Sequence, residues 1–149
     1  MSDLPSTLGA VEAHLRAVVA QDGVHVVHLW APWCPNSVSD LASGGWAALR
    51  ARFPEATFSF VTVWNDDEAP GRALLDSYGL DDVPELVASG SGTHADKDGR
   101  TRTFLGHSLG WVPATWIFNR NGQRAFALDY GEMREATLAA LLDAAYGRY

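Results

Sequence analysis

The sequence predicts an α/β domain in which a central mixed sheet carries helices on both faces. Three observations lead there. Apolar runs rich in β-branched residues alternate with stretches of helical period. The element order reads α-β-α-β-α, then an irregular segment, then β-β-α. An Asn121-Gly122 pair between the last two strands supplies residues that accept positive φ, so those strands form a hairpin.

Each element has its own warrant. From Pro5 to Gln21, Leu8, Val11, Leu15, Val18 and Val19 recur at three- and four-residue steps, which predicts a helix. Ser6 or Thr7 would cap it and Gly23 would end it. Val24 to Ala31 is a continuous apolar run, typical of a strand buried on both faces. A second helix starts at Pro35, where the first turn tolerates proline, and runs to Phe53. Its inward set is Val38, Leu41, Trp46, Leu49 and Phe53, and Gly44-Gly45 should weaken or kink it.

Ala56 to Trp64 reads as the next strand. A helix from Ala69 to Tyr78 follows, with Asp67 as its cap and Gly79 as its stop. Residues 80–110 are the least regular stretch, with a short strand at 83–87, a polar run Asp96-Lys97-Asp98-Gly99 and a short helix at 101–105. A long loop of this kind is usually functional or mobile. Strands at Ala114–Phe118 and Gln123–Asp129 flank the hairpin. A last helix from Glu132 to Tyr146 turns Met133, Leu138, Leu141, Leu142 and Tyr146 inward. With no repeat and no linker, residues 1–149 read as one domain, with 80–110 as an irregular insertion.

A 16.1 kDa chain can bury a substantial core. A hydrophobic content of 47% with 19% charged residues describes a globular chain. The net charge of −7 leaves no basic surplus for phosphates, which argues against nucleic acid as a partner. Met1-Ser2-Asp3-Leu4-Pro5 has neither the basic nor the apolar part of a signal peptide, and no apolar run has the length of a membrane span. One cysteine cannot form an internal disulfide, so the expected compartment is a reducing cytoplasm.

That cysteine, Cys34, follows a strand and opens a helix. A helix start offers unpaired N–H groups and partial positive charge, which favour an anion, and the thiolate is the reactive form of cysteine. An accessible nucleophile is the reading here, set against the small buried hydrophobe that free cysteines usually are.

Two motifs extend this reading. Leu29-Trp30-Ala31-Pro32-Trp33-Cys34-Pro35 resembles the strand-to-active-site signature of the thioredoxin-like proteins of the TlpA and ResA type. Trp111-Val112-Pro113-Ala114-Thr115-Trp116-Ile117-Phe118, followed by Asn121-Gly122, is similar to that family's cis-proline, strand and hairpin. The resemblance spans roughly residues 10–146 and is weak over 80–108. It implies a thioredoxin fold with an N-terminal helical extension. Pro113 would follow a cis peptide bond and face Cys34, leaving the Val112 backbone to pair with an extended peptide or glutathione. Without the first motif, Pro113 would read equally well as a strand-start proline.

The departures from the family matter as much. Ser37 stands where the second, resolving cysteine would be, and serine cannot release a mixed disulfide. Its expected role is to donate a hydrogen bond to the Cys34 thiolate. His28 takes the position of the family's buried acid; it would either accept a proton there or be a neutral, hydrogen-bonded core histidine. Trp33 and Trp111 adjoin the two motifs and would form an apolar rim, whereas Trp46, Trp64 and Trp116 read as core and Trp30 fits either place. Asn36 would bond a substrate or cap the helix. Pro35, Asn36, Val112 and Pro113, with the two rim indoles, make up the expected substrate site.

Other chemistries fit poorly. His14, His25, His28, His94 and His107 contain no i,i+4 pair for a metal, and Asp96-x-Asp98-Gly99 lacks the rest of a calcium loop. Gly90-x-Gly92 lacks the context of a nucleotide loop, and there is no Gly-x-Ser-x-Gly elbow. A one-cysteine peroxiredoxin would carry threonine three residues before its cysteine, where this chain has Ala31.

The expected activity is therefore monothiol exchange through a mixed disulfide at Cys34, resolved by an external thiol. The alternatives are a redox-inert protein-binding module and a sensor whose Cys34 is oxidised or pairs with Cys34 of another chain. No cofactor is expected beyond glutathione or another small thiol as co-substrate. The expected partners are protein or small-molecule thiols and disulfides, with no nucleic acid and no membrane, acting on a monomer or weak dimer.

Overall fold

The computed structural model describes residues 4–42, 45–128 and 135–147. Helix α1 (Leu8–Val19) precedes strand β1 (His25–Trp30), and α2 (Pro35–Ala42) and α3 (Gly45–Arg52) follow it. Then come β2 (Thr57–Thr62), α4 (Arg72–Ser77) and β3 (Glu85–Val87). A short β4 (Thr103–Phe104) and β5 (His107–Ser108) pair lies between these and β6 (Ala114–Phe118), β7 (Arg124–Leu128) and α5 (Glu135–Ala145).

The main sheet has the order β3-β2-β1-β6-β7. Strands β1, β2 and β3 are parallel, while β6 runs antiparallel to β1 and β7 antiparallel to β6. Every residue of β1 is buried, as its apolar sequence requires for a central strand. Its side chains alternate between two cores. Val27 and Leu29 meet α1 through Val11 and Leu15, together with Trp116 and Phe104. Val26 and Trp30 meet the opposite core, built from Leu41, Trp46, Leu49, Leu75, Leu138 and Leu142 of the other helices. The mixed sheet with helices on both faces is thus as the sequence predicts.

Several boundaries differ for identifiable reasons. Thr7 caps α1, its hydroxyl accepting from the Ala10 N–H at 3.2 Å. Helix covers Pro35–Ala42 and Gly45–Arg52 of the stretch expected over 35–53, and residues 43–44 lie outside the described residues. Asp67 caps nothing: the Asn65 amide bonds both backbone groups of Ala69, and α4 begins only at Arg72, without a side-chain cap. Gly71 leads into α4 because any Cβ there would collide with the Glu85 carboxylate.

The helix expected at 101–105 is instead a strand pair, β4 and β5, turned by Leu105 (φ +52°) and Gly106 (φ +76°). Two consecutive positive φ values are those of a two-residue hairpin turn. Leucine tolerates this because Glu12 of α1 accepts the Leu105 N–H at 2.9 Å, a contact that local sequence does not announce. The 119–122 turn forms as expected, with Gly122 at φ +77° and the Asn119 side chain accepting from Asn121 and Gln123. Asp129, Glu132 and Met133 lie outside the described residues.

Candidate functional site

The site begins where β1 ends. Ala31 accepts the Cys34 N–H at 3.0 Å, folding the Ala31-Pro32-Trp33 turn, and the Cys34 carbonyl accepts the Val38 N–H at 3.1 Å. Cys34 therefore sits at the N-terminal boundary of α2, with exposed Pro35 in the first turn. The half-buried thiol points at the loop before β6 and donates to the Val112 carbonyl at 3.8 Å. The Val112–Pro113 peptide bond is cis, and both residues are buried.

Ser37 is fully buried, and its Oγ accepts the Ala31 N–H at 3.2 Å. The hydroxyl ties the first turn of α2 to the preceding loop; the hydrogen bond it makes runs to Ala31 and not to the Cys34 sulfur.

His28 lies under this turn with no exposure. Its Nδ1 is 2.8 Å from Thr115 Oγ1 on β6, and the ring packs 4.6 Å from Trp46 and 5.3 Å from Phe60, centre to centre. Its Nε2 is 3.2 Å from Asp40 Oδ2, near enough to pair though off the line of a well-formed hydrogen bond. Asp40 is itself fully buried and accepts the Trp46 Nε1–H at 3.1 Å. A buried polar group costs free energy unless it finds a partner, and here strand, helix and indole supply partners in one polar cluster. Asp40 is not announced by either sequence motif. Its signal was an acid on the inward side of α2, six residues after the thiol.

Above the thiol, residues 89–110 fold against Trp33 and Trp64. Trp33 Nε1 donates to the Trp64 carbonyl at 2.7 Å, and its ring stacks on His94 at 4.1 Å with planes 9° apart. Trp64 has φ +56°, a left-handed backbone costing roughly 1–2 kcal/mol in a non-glycine residue. It is held there by its N–H to Ser91 Oγ at 2.8 Å and by its Nε1 to the Thr101 carbonyl at 2.9 Å. The Arg100 guanidinium lies 4.9 Å from the Trp33 ring and 5.0 Å from the Trp64 ring, and Arg102 lies 5.2 Å from Trp64. Asp66 anchors the start of the segment through the Gly90 and Gly92 N–H groups.

These walls enclose an open cavity of about 520 Å³ with Cys34 and Val112 at its base. Trp33, Asn36 and Trp111 line it as the motifs suggest, and Trp111 is 62% exposed. Pro35 and Pro113 flank the cavity without lining it, and His28 and Ser37 lie beneath it. Trp64 does double duty, buried as expected yet forming a wall. His94, Lys97, Arg100 and Arg102 also face the cavity. Burial first, then the adjacent Arg102, lowers the Arg100 pKa, while Cys34, Asp67 and Asp96 oppose the shift.

No family model matches the sequence, and no curated protein matches it. Solved structures do. A secreted disulfide oxidoreductase of Mycobacterium tuberculosis, homologous to E. coli DsbE, aligns over 85% of each chain at 18% identity with a TM-score of 0.62. The chain has a thioredoxin-like fold. A thiol:disulfide interchange protein of the thioredoxin family from Chlorobium tepidum aligns at 15% identity and a TM-score of 0.62, covering 87% of this chain and 83% of its own. A thiol-disulfide isomerase from Corynebacterium glutamicum aligns at 16% identity and 0.58, covering 89% and 86%. At these identities the likeness is one of fold.

Within this thioredoxin-like frame, the two sequence motifs meet as the strand order requires, because β1 and β6 are neighbours. Cys34 and Val112 are 78 residues apart in sequence and in contact in space. The cationic wall was not read from the sequence, although Lys97-Asp98-Gly99-Arg100-Thr101-Arg102 is a local basic excess in an acidic chain. Among the described residues, no three His, Cys, Asp or Glu side chains are grouped to hold a metal ion. No described helix is long and apolar enough to cross a membrane.

Proposed function

We propose that this chain carries out thiol–disulfide exchange through a mixed disulfide at Cys34, released by an external thiol. The observation that carries the reading is a half-exposed sulfur at the start of α2 and at the base of an open cavity, in a chain with no second cysteine. The Cys34 thiolate attacks one sulfur of a disulfide R–S–S–R′, forming Cys34–S–S–R and expelling R′–S⁻. A second thiolate R″–S⁻ then attacks the R sulfur, giving R–S–S–R″ and restoring the Cys34 thiolate. The protein gains and loses no electrons over the cycle; R″–S⁻ is oxidised as R′ is reduced.

The helix start and the Val112 carbonyl position the sulfur, and the loop before Pro113 forms the facing wall for the substrate. Ser37 shapes the turn and His28 with Asp40 supports it from below. Removal of glutathione from modified proteins and disulfide isomerisation both fit this cycle. A lone thiol of this kind suits a reducing compartment.

The test is to incubate the protein with glutathione disulfide and measure its intact mass, then assay insulin reduction with and without added glutathione. The expected result is one glutathione adduct, lost in Cys34→Ser, and turnover only with added thiol. Stoichiometric release of reduced insulin chains by the pre-reduced protein alone, or no adduct at all, overturns the reading. The latter result would favour a protein-binding module.

A further inference from the structure

We propose that Lys97, Arg100 and Arg102 form an anion subsite above Cys34. The molecule exchanged there would be a small thiol or disulfide bearing carboxylate or phosphate groups near its sulfur. The inference rests on the exchange reading and names its substrate class.

Charge placement is the first observation. The chain carries a net charge of −7, yet three of its eleven Lys and Arg side chains face the one cavity that holds the thiol. Elsewhere Arg16, Arg50, Arg52, Arg72 and Arg120 each pair with a carboxylate. Among the described residues, Lys97, Arg100 and Arg102 pair with none; outside the cavity, Arg124 also lacks a carboxylate and lies over the Trp116 ring. Of the nearby carboxylates, Asp66 accepts from the N–H groups of Gly90 and Gly92 and Asp96 from that of Gly99, while Asp67 and Asp96 act on Arg100 only through their charge, with no ion pair formed.

How the cations are held is the second. Arg100 donates to the Thr93 carbonyl at 2.9 Å and the His94 carbonyl at 2.7 Å; Arg102 donates to Lys97 at 3.1 Å and Gly110 at 3.3 Å. Carbonyls and indole faces orient a guanidinium without cancelling its charge. Both side chains are therefore ordered before a ligand arrives, which lowers the entropic cost of binding it. The third observation is size. About 520 Å³ lies within the range of small-molecule sites and suits a tripeptide-sized thiol.

The experiment compares exchange rates at Cys34 for glutathione disulfide (anionic), 2-hydroxyethyl disulfide (neutral) and cystamine (cationic). Each rate is divided by that disulfide's rate with a free small thiol. The expected result is a preference of about tenfold or more for the anionic over the cationic disulfide, collapsing near 1 M salt. Coenzyme A disulfide, as a fourth arm, separates phosphate from carboxylate recognition. Arg100 is packed between two indoles and its replacement risks the loop, so the variants are Lys97→Glu and Arg102→Gln at exposed positions. Each should cut the anionic-to-neutral ratio several-fold.

Binding is read separately by titrating Cys34→Ser with S-methylglutathione and with its dimethyl ester. The free acid should bind more tightly, and Lys97→Glu should narrow the difference. Equal corrected rates for all charges together with equal binding of acid and ester overturn the subsite while leaving exchange standing. Charge-selective binding with no exchange on any disulfide overturns the exchange reading and leaves the subsite.

Discussion

At the scale of the residue, Ser37 sets the limit on what Cys34 can do. A serine three positions after the thiol is legible from sequence, and so is the loss of an internal resolving step. That its hydroxyl bonds Ala31 is not legible, because the contact depends on how the 31–34 turn folds back. The hydroxyl is buried in the first turn of α2 beside the residue that holds the nucleophile. Ser37→Cys should therefore form an internal disulfide with Cys34 under mild oxidation, and the pre-reduced variant should reduce insulin stoichiometrically without a small thiol. Alkylation followed by intact mass checks the first outcome. Two alkylatable thiols after oxidation would show that the turn does not present the sulfurs to each other. The Trp33 indole was legible as part of the site, but its stacking on His94 was not, since the partner lies 61 residues away.

At the scale of the element, β1 and α2 are joined by one buried polar pair. His28 comes from the strand and Asp40 from the helix, with Trp46 Nε1 as a further donor to the carboxylate. Removing one partner of a buried pair costs about 3–5 kcal/mol, because it strands the other. His28→Leu and Asp40→Leu should each lower stability by about 3 kcal/mol in urea denaturation. The double variant should cost less than the sum of the two by more than about 1 kcal/mol. Strict additivity would show that the two groups do not act as a pair. The strands themselves were readable because β-branched, apolar runs suit a central sheet. Helix limits were less so: α1 and α4 are shorter than their periodic patterns, and the β4–β5 turn depends on Glu12, which is 93 residues from Leu105.

At the scale of the whole molecule, the β4–β5 hairpin closes the α1 side of the core, and His107 on it packs against Trp116 and Phe118. Burial, and secondarily the Arg124 charge, lowers the His107 pKa from its ordinary value of 6.5. The unfolded chain then binds more protons than the folded one just below that value. Stability should be complete above about pH 6.5 and fall as the pH drops below it. His107→Gln should fall less between pH 7.5 and 5.5, as measured by thermal melting; an identical decline in both proteins would place the acid sensitivity elsewhere.

Sequence by itself determined the alternating elements, the hairpin, the lone nucleophile and the missing resolving thiol, because period, turn chemistry and residue identity act locally. Only the tertiary structure decided what surrounds that thiol. The Val112 carbonyl and the cationic wall of residues 97–102 reach Cys34 through β6 pairing and indole contacts, while Asp40 is held beneath its turn by His28 and Trp46. Residues far apart in the chain meet in such contacts, so a local signal such as the basic run at 97–102 does not say that it will face the thiol.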